Sequence, residues 1–193
     1  MKWAIDPMHS IANFSIRHMM SKVRGTVSVK EGWIEADEKE DPSSAKVEVV
    51  LDAATINTGV APRDADLRSP NHLDVEKYPT MTFRSKRIEG NDPKRFVIMG
   101  DVTIHGVTKE VRLDSSFGGE AKDPWGNRRL SFSAKTRVNR KDFNLTWNAA
   151  LETGGFLVGD DVDIDIEVEA IPAAKPEEAK AKVEAAAKAE SKS

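Results

Sequence analysis

Apart from its carboxylates, this chain has few side chains suited to moving a proton or holding a metal. The four histidines, His9, His18, His72 and His105, come first. None stands at a close ligand spacing such as H-x-x-x-H, so they are expected to hydrogen-bond at strand ends and turns. With no cysteine there is no thiolate chemistry and no disulfide framework. The sequence has no G-x-S-x-G, no Gly-rich phosphate loop and no H-E-x-x-H. An acid–base pair can be drawn from His72 and Asp74, or from Asp142, but local charge pairing explains these residues as well. Arg63, Arg68, Arg137, Arg140 and Lys141 suit another task, contact with a phosphate or other polar head group. The fixed guanidinium fork matches phosphate oxygens. The ordinary alternative is a solvated or salt-bridged arginine, with Asp142 a ready local partner for Arg140. The head-group candidates are Arg63, His72, Arg137 and Arg140.

The elements that must position these residues are strands. From Val162 to Glu169 every even position is apolar and every odd one acidic, so one face of the segment is greasy and the other wet. The same period of two runs through Val23–Ile34, Val47–Ala53, Phe96–His105, Val107–Phe117 and Leu130–Val138. Gly25 marks a place where a strand bends closely past a neighbour. Thr55–Val75 breaks the alternation, and Pro62 predicts the start of one short helix in the 62–75 region. Gly118-Gly119 and Asp123–Asn127 are expected to bound a long loop, with Trp125 as its anchor. Arg140–Leu157 reads as irregular. Eight or nine strands, several about ten residues long, must close or stack. At ~3.3 Å per residue and a tilt near ~40°, a closed barrel of such strands stands roughly 25 Å tall. A tall, narrow barrel suits an elongated apolar molecule.

The net charge of −3, from 29 basic and 32 acidic residues, gives no electrostatic footprint for nucleic acid. No segment reaches the length of an apolar transmembrane helix. No signal-length apolar stretch follows Met1, which makes a cytoplasmic protein the expectation, or a periplasmic one if a leader was trimmed. Residues 1–172 read as one domain. Residues 173–193, rich in Ala, Lys and Glu, read as a solvated, partly helical or disordered tail.

Four strings carry a resemblance. They are Trp3-Ala4-Ile5-Asp6 with His9-Ser10 and Phe14; Ser69–Val75 followed by Tyr78-Pro79 and Phe83; Gly100–Lys109; and Arg140-Lys141-Asp142-Phe143. Together, and in this order, they resemble the YceI-like family, lipid-binding bacterial proteins of lipocalin-like architecture. The resemblance covers residues 1–172. It implies an all-β, extended antiparallel eight-stranded barrel whose interior holds a polyisoprenoid or similar long-chain amphiphile. It implies no catalytic residue, and no cofactor is expected.

The expected ligand-contacting residues lie on the apolar faces: Phe14, Ile16, Val27, Val49, Leu51, Met81, Phe83, Ile104, Leu113, Phe132 and Ile164. Taken singly, each is most simply core. The functional case rests on volume. An unfilled tunnel of ~400 Å³ would cost about 10 kcal/mol, comparable to the whole stability of a domain. Burying ten methylenes of a lipid tail yields roughly 8 kcal/mol gross. The leading expectation is therefore binding of a polyisoprenoid, isoprenoid quinone or fatty-chain lipid for transport or storage. The alternatives are an enzyme acting on such a lipid, or an interaction module without lipid. Self-association as a homodimer is compatible with either.

Overall fold

The computed structural model describes residues 1–37 and 42–173. The expected tail from residue 174 onward lies outside the described residues. The strands are β1 (Lys2–Ile5), β2 (Ile11–His18), β3 (Ser21–Glu35), β4 (Lys46–Asp52), β5 (Thr80–Asp92), β6 (Arg95–Ile104), β7 (Val107–Lys122), β8 (Arg128–Asn139) and β9 (Val158–Pro172). One helix, α1 (Ala61–Arg68), lies between β4 and β5, with Pro62 in its first turn where a missing N–H costs nothing.

All pairings are antiparallel, and the sheet closes through β3 and β4. β1 and β2 are two pieces of one barrel strand. β2 lies between β3 and β9 at one level, and β1 lies between the same two strands at the next. The break is local chemistry. Pro7 starts a 3-10 turn, Pro7–His9, and the Asp6 side chain caps it by accepting from the Met8 N–H at 3.0 Å. Counting β1 and β2 together, this is a closed eight-stranded antiparallel barrel, as expected.

Turn residues match their backbone demands. The β6–β7 hairpin turns on His105 and Gly106, both at positive φ (50° and 73°), the pattern of a two-residue hairpin loop. Gly118 and Gly119, expected to bound a loop, instead lie inside β7. A bulge between Phe117 and Gly119 absorbs the extra residue, and Gly119 takes φ 125°, so the strand continues to Lys122.

Segment 53–79, which contains α1, lies over one end of the barrel. Ile56, Leu67, Leu73 and Val75 from this cap pack with Val27, Leu51, Met81, Ile104 and Phe14. Asp64 fastens it from within: buried, it accepts from the Thr58 N–H at 2.8 Å and from the Thr58 hydroxyl. The outer face of the barrel is polar and paired, for example Lys22 and Arg137 on Asp163 at 3.0 and 2.6 Å. This is the inverse of a membrane-spanning barrel, which is apolar outside. No helix among the described residues is long and apolar enough to cross a membrane.

Candidate ligand-binding site

Cross-strand partners share a face of the sheet, so the register defines the inner wall. Phe14 pairs with Ile164, and Ile164 with Thr136. Leu51 pairs with Met81, Val49 with Phe83, and Phe83 with Val102. Ile98 pairs with Leu113, and Phe117 with Phe132. The register thus puts all eleven expected contact residues on one face, with each of β2–β9 supplying one or two. That face carries the packed cap residues, so it is the inside.

These eleven fall into two groups. Val27, Leu51, Met81, Ile104 and Phe14 pack with the cap. Ile16, Val49, Phe83, Leu113, Phe132 and Ile164 line the barrel away from that cluster. Leu113 is buried, but the other five are only half-buried although they face the inside of a closed sheet. A side chain there stays partly uncovered only where its neighbours leave room beside it. Two inner polar groups are neutral and satisfied. The Ser115 hydroxyl donates to the Leu113 carbonyl at 3.1 Å, and Ser10 donates to the Glu169 carbonyl at 3.3 Å.

The head-group candidates do not form one cluster. Arg63 lies on the cap, and its Nε donates to the Thr58 hydroxyl at 2.7 Å. His72 Nε2 sits 3.1 Å from Asp66 Oδ2, and its ring is 5.1 Å from that of Trp147. Arg137 is exposed on the outer face and paired with Asp163. Arg140 is buried (6% exposed) and works as a strut. Its Nε donates to the Gly159 carbonyl at 2.8 Å, and its Nη1 to the carbonyls of Leu145 and Trp147. Burial pulls this guanidinium's pKa down, and Asp160 partly opposes the shift. Its carboxylate neighbour is Asp160 at 3.5 Å rather than Asp142. The chain's return into β9 brings Asp160 back to Arg140, a long-range contact that sequence proximity does not reveal.

Trp125 is not an anchor. It is 82% exposed, and its loop is held instead by Asp123, whose Oδ1 accepts from the N–H groups of Trp125 and Asn127 at 3.0 and 2.8 Å. The buried tryptophan is Trp3, at the barrel end opposite the cap, with the Arg128 guanidinium 5.0 Å from its ring centre. Each histidine sits in or beside a turn or strand end. The most telling is His105, whose Nδ1 donates to the Phe143 carbonyl at 3.1 Å. Phe143, 2% exposed, was not among the expected site residues, and its short 3-10 turn (Arg140–Phe143) offers no periodic signal.

Fold and site together define a closed, apolar-lined antiparallel β-barrel capped at one end. Residues 3–170 match the YceI-like domain, and the chain belongs to that family. Protein YceI of Escherichia coli O157:H7 is 38% identical over 141 residues, 72% of this chain and 73% of that protein. A UPF0312 protein of Pectobacterium atrosepticum is 38% identical over 146 residues, 75% of each chain. Among solved structures, the Campylobacter jejuni YCEI protein superposes with a TM-score of 0.67 at 30% identity, covering 82% of this chain and 90% of that one. Burkholderia cenocepacia BcnA gives a TM-score of 0.71 at 18% identity, over 86% and 98%. A polyisoprenoid-binding domain from Saccharophagus degradans, implicated in plant cell wall breakdown, gives 0.58 at 14% identity, over 88% and 97%. The last two speak for the fold.

Proposed function

We propose that this barrel binds one long-chain amphiphile, a polyisoprenoid, isoprenoid quinone or fatty-chain lipid, with its tail along the bore, for transport or storage. The observation that carries the reading is the half-buried state of Ile16, Val49, Phe83, Phe132 and Ile164 on the inner wall. Apolar side chains left with room beside them gain about 25 cal/mol per Å² when a hydrocarbon covers them. Membership of the YceI-like family and likeness to a fold described as polyisoprenoid-binding point the same way. Binding rather than turnover is favoured by the chemistry of the wall, which offers hydroxyls and hydrocarbon apart from Lys109 near its edge. His72 pairs with Asp66 on the cap rather than on that wall.

Organic extraction of the purified protein followed by mass spectrometry tests the reading. The expected result is a long-chain lipid in near-stoichiometric amount. An empty extract, together with no binding of fluorescent polyprenyl or fatty-acid probes, would remove it.

A further inference from the structure

The barrel wall is incomplete in one place. β6 and β7 pair as far as Ile104 and Val107, and β8 and β9 pair as far as Asn139 and Asp161. Between them, the β7–β8 ladder stops at Asp114 and Lys135. Val107–Leu113 of β7 and Thr136–Asn139 of β8 run on without pairing to each other. The 3-10 turn Arg140–Phe143 lies at the foot of this gap. It is tied to the β6–β7 turn by the His105–Phe143 hydrogen bond, which links the end of β8 to the far side.

A cleft of about 350 Å³ lies in the gap. Neighbouring residues on both strands line it, Val111 with Arg112 and Arg137 with Val138. Neighbours along a strand point to opposite faces, so the cleft is bordered by residues of both the outer and the inner face. Elsewhere, the cap covers one end of the barrel, and Trp3 and Ile5 are buried at the other. The charges at the cleft are not equivalent. Arg112 is held by Asp114 at 3.0 Å and Arg137 by Asp163 at 2.6 Å, and of the two further carboxylates that line the cleft, Glu110 is held by Lys86 at 3.2 Å while Asp142 has no ion-pair partner among the described residues. Lys109 pairs in register with Val102, which puts it on the inner face. It is exposed at the cleft and has no ion-pair partner among the described residues.

We propose that the gap between β7 and β8 is a lateral portal through which the lipid tail passes into the bore, and that an anionic head group, phosphate or carboxylate, stays in the portal against Lys109. This rests on the lipid-binding reading above. It adds the route and the head-group class.

The chain has no cysteine, so Val138→Cys places a single thiol in the cleft of an otherwise unchanged protein. Uptake of a fluorescent polyprenyl phosphate is followed by stopped flow before and after labelling. A small methylthio adduct should leave the rate unchanged, and a phenylmaleimide adduct should slow it at least ten-fold. A thiol that does not react in the folded protein, or a bulky adduct without effect on uptake, overturns the portal. Circular dichroism and thermal melting of both adducts separate a blocked cleft from a disturbed fold: slowed uptake by an adduct that keeps the unlabelled protein's spectrum and melting temperature supports the portal. Lys109→Gln should weaken binding about ten-fold for whichever anion is the head group. Polyprenyl phosphate and a fatty acid are tested side by side, and the matching neutral polyprenol should be unaffected. Equal affinities for all three overturn the head-group assignment. If the unmodified protein takes up none of the probes, the lipid-binding reading falls and the portal with it. If it takes them up at a rate indifferent to the adduct, the portal alone falls.

Discussion

The ring of Phe14 lies across Gly25, its cross-strand partner on β3, so closely that a Cβ on the glycine would fall 2.6 Å from the ring's Cζ. Phe83 does the same with Gly100 on β6, also at 2.6 Å. A phenylalanine that projected straight inward from a narrow barrel would cross the bore. Laid over a neighbouring glycine, it lines the wall instead. On the proposed reading, the two glycines matter to the bore's width as much as the apolar residues of its wall.

Gly25→Ala and Gly100→Ala should therefore each destabilise the fold by roughly 1–3 kcal/mol, because the ring or the backbone must move. Each should also weaken binding of the longest chains most, by pushing a ring into the bore. Urea unfolding and a chain-length series of polyprenols check both effects. Alanine variants with wild-type stability and wild-type length preference would contradict the geometry.

Phe132 packs against Phe117 with ring centres 5.1 Å apart on the inner wall. Phe132→Trp adds volume where the wall has room, so the protein should stay folded and prefer shorter chains. Phe132→Asp places an unpaired carboxylate among apolar groups and should cost about 3 kcal/mol or more, along with binding. Competition between probes of different length reads the first effect, and thermal melting the second. An unchanged length preference in Phe132→Trp would take that residue off the binding surface.

Two arginines separated by three positions should behave oppositely. Arg140→Met strands the carbonyls of Gly159, Leu145 and Trp147 and should cost roughly 2–4 kcal/mol. Arg137→Ala removes an exposed ion pair and should cost under ~1 kcal/mol. Urea midpoints compare them directly, and equal costs would deny Arg140 its role as a strut.

Much of the barrel was legible because one rule governs it. Strict alternation in Leu130–Val138 and Val162–Glu169 assigned each side chain a face, and the register kept every assignment. Pro62 marked the helix correctly for the same local reason. What the sequence did not reveal depends on where the chain returns. Nothing local says that Arg140 meets Asp160, that Phe143 wedges beneath the β6–β7 turn, or that β7 and β8 part company after Asp114. Gly25 was readable as a close approach, but only the register identified Phe14 as what approaches it. Gly118-Gly119 misled because a bulge and a loop use the same residue.

Acid should loosen this protein through a few carboxylates. Hydrogen bonds from Thr58 hold the Asp64 carboxyl below its usual range, as Arg137 and Lys22 do for Asp163 and Asn127 does for Asp123. At Asp6 burial pushes upward, but Arg129, His9 and the Met8 N–H outweigh it and the net shift is down. A depressed folded pKa means the unfolded chain takes up its proton first. The stabilisation is complete above about pH 5 and is lost as pH falls below ~4 toward the folded values. Melting temperature should hold from about pH 6 to 8, as far as these groups decide it, and drop steeply near pH 3. Asp64→Asn should melt lower at neutral pH and lose less on acidification. The same acid loss in both proteins would contradict the assignment.

The most direct measurement is equilibrium titration of the delipidated protein with a fluorescent polyprenyl probe, with Ile164→Trp and Phe132→Trp run alongside. Binding should saturate at one probe per chain with micromolar or tighter affinity, and both variants should shift preference toward shorter chains. No saturable binding, or binding indifferent to both inner-wall substitutions, would mean that the bore is not where this protein works.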